Sequence, residues 1–261
     1  MFLAPLPSKR IAALLAAAFL LSAGHAAAQA GLPVSTSRMG VVKGPGVVAA
    51  GVLQVEAGYS RAHREGRTRH AFGETLLRVG LGRDTELRAT FPSYLRTLTP
   101  GTTTEGASDA ALALKHRFRQ PAGWMPGISL TVGSTLPTGA DAFSAGQAQP
   151  EAIAAAEWRL PHRVALGGIA GHRHAVLAGD RFGQNTLGAA ARADVTPAVA
   201  AQLEYSRVSA TRAGAVDAGQ LRATAALRLT RDLQLDGWAG RTTQTGVPAE
   251  TQFGLGFTRR W

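Results

Sequence analysis

Twelve ionisable side chains stand inside otherwise apolar stretches of this 261-residue chain: Glu56, Arg78, Glu86, Arg88, Lys115, Arg117, Glu157, Arg159, Glu204, Arg222, Arg228 and Asp236. Their spacing is the first clue. In LLRVGLGRDTELRAT (Leu76 to Thr90) the residues Leu77, Val79, Leu81, Leu87 and Ala89 share one side, while Arg78, Glu86 and Arg88 occupy the other. A row of charges lining an enclosed space can do two things. It can select solutes along a pore wall, and a net basic wall would favour anions. It can also pair internally, filling and stiffening a narrow lumen.

Other chemistry finds less support. His172 and His174 lie two apart and share a strand face, but no further metal ligands accompany them in the sequence. No serine lies two positions from a histidine within a predicted strand, so no nucleophile–base pair is visible along one strand, and no catalytic residue is assigned. GLG at Gly80 to Gly82 enters a hairpin rather than a helix and is no dinucleotide fingerprint; no cofactor is expected. RAHREGRTRH (Arg61 to His70) reads as an outward basic loop suited to lipopolysaccharide phosphates. It lacks the interleaved aromatics that nucleic-acid binding would need, so no nucleic acid is expected.

The elements that carry these residues must be placed first. Lys9 and Arg10, the apolar run Ile11 to Leu21 and the small residues SAGHAAAQA form a secretory signal, with cleavage expected after Ala28 or Ala30. The run is shorter than the roughly 20 residues of a spanning helix. Its removal takes two positive charges from a formal +11, leaving about +9. With no cysteine, no disulfide can stabilise an exported chain, so a large core or a membrane must do so.

Period-two alternation then recurs to the C-terminus. It predicts a single all-β domain over residues 51–261, an antiparallel transmembrane barrel of about twelve strands of roughly ten residues, preceded by a periplasmic or luminal segment over 31–50. Short connections such as GRDT, LPHR and TRDL alternate with longer ones such as RAHREGRTRH, YLRTLTPGTTTEGAS and PTGADAFSAGQAQ, as periplasmic turns alternate with outer loops. Residues 150–160, PEAIAAAEWRL, would suit a helix equally well; an even strand count favours a strand.

LLRVGLGRDTELR, GASDAALALKHRF, SLTVGSTLPTG and LQLDGWAG, in this order and after TSRMGVVKGPGVVAAGVLQVEAGYS, resemble the outer-membrane transporters named for the MetA pathway of phenol degradation. The resemblance implies a small outer-membrane barrel and a transport role, without a solute. The C-terminal Phe253, Leu255, Phe257 and Trp261 are similar to the insertion signal of such barrels, read by the barrel-insertion machinery; Arg259 departs from that pattern. The expectation is therefore a non-enzymatic, porin-like barrel of the Gram-negative envelope: a passive transporter or narrow pore for small, anionic or aromatic solutes, in contact with outer-membrane lipid. A closed structural or surface-binding barrel is the alternative, followed by a lipid-modifying enzyme.

Overall fold

The computed structural model describes residues 34, 36–38, 40–211 and 217–261; the signal segment and its cleavage sites lie outside them. Fourteen strands form one antiparallel sheet: β1 (Leu53–Arg64), β2 (Arg67–Gly80), β3 (Thr85–Thr90), β4 (Tyr94–Thr99), β5 (Thr102–Ala107), β6 (Ala110–Arg119), β7 (Gly127–Leu136), β8 (Gln149–Leu160), β9 (Val164–Leu177), β10 (Asp180–Asp194), β11 (Val199–Ala210), β12 (Ala218–Arg228), β13 (Leu233–Gln244) and β14 (Val247–Arg260). The sheet closes because β1 pairs with both β14 and β2. β3 and β4 lie end to end along β2, and β5 and β6 along them, so the wall has twelve staves. Residues 149–160 are strand, not helix.

The two half-strand breaks lie side by side. Phe91–Pro92–Ser93 interrupts one stave, where a proline cannot donate to the ladder. Ser108 and Asp109 interrupt the next, and the neighbouring β2 carries Gly73 and Glu74 at positive φ (94° and 40°). Backbone and side-chain bonds tie the breaks together: Phe91 N–H donates to Thr75 O (2.9 Å), and Ser108 N–H to Ser93 O (2.9 Å). Beyond Ala110 and Leu136, where β6–β7 pairing stops, the free edge of β5 meets residues 137–148. That loop is clasped there by Asp109, whose carboxylate accepts the Gly139 (2.9 Å) and Ala145 (3.1 Å) amides.

Most of the expected outer loops are instead strand. RAHREGRTRH continues β1 and β2 around a two-residue turn at Glu65–Gly66, and YLRTLTPGTTTEGAS forms β4 and β5 around Pro100–Gly101. Positive-φ glycines, Gly66 and Gly101, make these turns possible without longer connections. The barrel therefore extends farther at this end, here called the far rim, than the alternation alone indicates. The near rim carries Leu53, Arg260 and the short turns.

The wall is inside-out relative to a water-soluble fold. Leu114, Leu187, Leu203, Leu221 and Leu255 are exposed on the outer face, whereas Gln54, Glu56, Glu86, Glu204 and Gln234 are buried within. Apolar and polar rows alternate because successive strand residues face opposite sides. The expected insertion residues Phe253, Leu255, Phe257 and Trp261 all lie on the exposed row, and the Arg259 guanidinium packs 5.6 Å from the Trp261 ring centroid.

Candidate functional site: a charged lumen and its internal ring

All twelve charged residues read from the alternation lie on the inner row or at its near-rim end. They do not act as one group. Arg78 joins Glu56 (3.2 Å) and Glu86 (2.8 Å), and Arg88 joins Glu86 (2.7 Å), in a cluster almost without solvent contact. Near the rim, Arg117 pairs with Asp84 (2.6 Å) and Arg228 with Asp194 (2.7 Å). Arg159 is largely exposed beside Glu157 (4.0 Å). Charges this deep persist only when paired and hydrogen-bonded, since an ion left alone there would cost several kcal/mol, in the order of magnitude of its desolvation.

Much of that satisfaction comes from the described residues between 34 and 52, which run inside the barrel. Starting near the rim, Val34 N–H donates to Arg231 O (2.9 Å). At β1, Glu56 accepts Ser37 N–H (2.8 Å) and Thr36 Oγ1–H (2.9 Å). Arg38 then reaches Asp236 on β13 (3.5 Å) and Glu74 on β2 (3.3 Å). At β11, the two Glu204 oxygens accept the Val41 (2.8 Å) and Val42 (3.0 Å) amides. Val42 packs with Ile169 of β9 and Ala155 of β8. Lys115 of β6 donates to Gly44 O (2.6 Å), Arg78 to Gly46 O (3.4 Å), and Glu86 of β3 accepts Val48 N–H (2.7 Å). The partners progress around the barrel, so the segment forms a ring against the inner wall rather than a single strut. Its exit is tight: a Cβ at Gly80 would collide with the Ala49 carbonyl.

This ring has no strand periodicity, and among the described residues it supplies half of the buried apolar side chains: Val34, Val42, Val47, Val48 and Val52. A polar inner wall cannot make an apolar core, so the inserted segment provides one. Lys43 is its outlier. Its side chain stands inside the barrel; loss of bulk solvation there, reinforced by the Arg88 guanidinium, pushes its ammonium pKa down to about 8.

On the far-rim side of the ring lies a cavity of about 490 Å³ whose lining includes Arg38, Lys43, Arg69, Glu74, Arg222 and Trp238. Only Arg222 among these belongs to the alternating set. Arg38 and Lys43 lie in a segment without periodicity. Arg69 is hidden for a different reason. Ala62 pairs with Arg69 and Gln54 with Arg78, so the Gly73–Glu74 irregularity reverses which parity faces inward along β2. His172 does not enter the lumen; it bonds Asn185 (2.8 Å) on the outer row. Among the described residues no group of three or more His, Asp or Glu is arranged to hold a metal.

The sequence model of a family described as "Putative MetA-pathway of phenol degradation" matches residues 36–260. Among solved structures, a COG4313 outer membrane channel from Pseudomonas putida F1 superposes with a TM-score of 0.65 at 17% identity, over 87% of this chain and 100% of that one. The KdgM porin matches with a TM-score of 0.53 at 7% identity, over 79% and 98%. The translocator domain of the autotransporter NalP from Neisseria meningitidis gives 0.50 at 11%, over 97% and 96%. No curated protein matches the chain in sequence.

Proposed function

From the premise that this chain belongs to the MetA-pathway phenol-degradation family, and has an outer-membrane-type barrel fold, we propose that it is a passive, narrow outer-membrane conduit for small solutes with a preference for anions. The observation that carries this reading is the basic cavity above the ring, whose lining holds more cationic than anionic side chains. A barrel closed by its own ion pairs would have no need of unpaired cations there. Among the described residues, Lys43 and Arg69 have no carboxylate within ion-pair distance. Low-dielectric walls around such groups concentrate anions and repel cations. The same reading makes the protein a conduit and not an enzyme. The likeness of the fold to an outer membrane channel and to the KdgM porin supports it.

The near rim would then face the periplasm, reached by export of the processed chain. Arg61, His63 and Arg96 on the outer row near the far rim would meet lipopolysaccharide phosphates. Phe253, Leu255, Phe257 and Trp261 would present the signal for the insertion machinery.

The test is single-channel recording of the refolded protein in a planar bilayer under a salt gradient. Discrete steps and a reversal potential displaced toward the anion are expected. A barrel that is folded by its heat-modifiable gel migration yet electrically silent would overturn the reading in favour of a closed structural barrel.

A further inference from the structure

The far-side cavity has features beyond a general positive field. Its lining contains five basic residues, Arg38, Lys43, Arg61, Arg69 and Arg222, against one carboxylate, Glu74. Arg61 belongs to the outward row of β1, so four cations face the cavity from within. Arg222 lies over Trp238, its guanidinium carbon 3.9 Å from the ring centroid. The Nε atoms of Arg222 and Arg38 are buried without a hydrogen-bond partner. Their carboxylate neighbours stand at 3.7 Å (Glu204) and 3.5 Å (Asp236), ion-pair distances that leave those donors unsatisfied.

We infer that this cavity is a binding site for a small planar carboxylate, an aromatic monoacid, held at Arg222, Arg69 and Lys43 with its ring against the Arg222–Trp238 stack. Three observations set that class. A guanidinium presents paired N–H groups in the plane of a carboxylate, which a Lys-only patch would not. The Arg222–Trp238 pair offers an aromatic and cationic surface against which a ring can pack. Glu74, held by Arg38 (3.3 Å) and Ser60 Oγ–H (2.7 Å), keeps a negative charge in the same cavity, which penalises a dianion more than a monoanion. The cavity, at about 490 Å³, has room for a one-ring acid and its water.

The site rests on the proposed conduit only in being reachable from solution, so binding and conduction are measured separately. The refolded full-length mature protein in detergent is titrated calorimetrically with sodium benzoate, with benzyl alcohol and inorganic phosphate as comparison ligands, and the same additions are made during bilayer recording. Saturable benzoate binding, absent or about tenfold weaker for benzyl alcohol and phosphate, is the expected result. Arg222→Gln should weaken benzoate by about tenfold or more, and Arg69→Gln should do so in part, without loss of heat-modifiable migration. Equal binding of benzoate and benzyl alcohol, or no saturable benzoate binding, overturns the site, and that comparison needs no variant. Tighter phosphate than benzoate overturns the assigned class. Benzoate binding in an electrically silent barrel would sustain the site while removing the conduit; conduction without benzoate binding or block would do the reverse.

Discussion

Glu204 shows what a carboxylate on this wall does. It takes two consecutive backbone amides of the ring, and an ionised acceptor makes each bond stronger than a neutral one would. Glu56 and Glu86 each take one backbone amide of the ring at other points of the circumference. Lys43 is the contrasting case. Its ammonium pKa falls from 10.5 to about 8 in the folded protein, chiefly through burial, so between roughly those two values the folded state holds fewer protons there than the unfolded chain. The protonated form is the penalised one. The group's contribution to stability therefore rises with pH across that window and is least favourable below about 8. In recordings from pH 7 to pH 9, anion preference should decline as Lys43 loses its charge, and Lys43→Met should begin lower and stay flatter. An identical pH profile in the variant would place the titrating group elsewhere.

The ring over residues 34–52 depends on wall positions that leave space for it. Gly80 is the clearest, because β2 ends there directly beneath the Ala49 carbonyl and Gly80 N–H donates to Val52 O (3.0 Å). Gly80→Val should push the ring's exit off the wall and cost about 1–3 kcal/mol, the usual range for an overpacked close contact. Urea unfolding of protein refolded into liposomes measures it. A variant with unchanged unfolding and unchanged conductance would mean that the ring is not anchored at this point. The kinked staves form a second element. Proline in one, Gly73 and Glu74 in its neighbour and Asp109 in the third let the far half of the wall change direction, and the 137–148 loop fills the edge left open.

Across the whole molecule, stability comes from two surfaces with opposite solvents. The outer face needs lipid, and the inner face needs the ring, ion pairs and water. Leu203 lies mid-strand on β11, 55% exposed and paired with Ala191 and Ala223, in the outer apolar band. Leu203→Arg should cost about 2–4 kcal/mol in a bilayer, as expected for a charge near the midplane. Reversible folding into vesicles checks this, and a loss below about 0.5 kcal/mol would mean that Leu203 is not facing the acyl chains. Basic side chains are not spread evenly over these surfaces; Arg38, Lys43, Arg69 and Arg222 collect around the far-side cavity.

Barrel class, strand type and the inward row of charges were legible because a strand's side-chain period is two. Placing Arg78, Glu86 or Arg222 on one face requires only local order. The far rim was not legible in the same way. Toward the far rim β1, β2, β4 and β5 carry polar residues on both faces, and the strand signal fades into that of a loop. Nor could the alternation locate Arg69, because the irregularity at Gly73–Glu74 reverses the parity of β2. The ring is the deepest case. TSRMGVVKGPGVVAA has no period, and its amides find acceptors on β1, β11 and β3 that are 19 to 163 residues away in the chain. Local chemistry could therefore determine that this chain forms a wall with a charged inside. Only closure of the barrel brought those distant carboxylates into one lumen and decided which charges bind the ring and which face the open cavity.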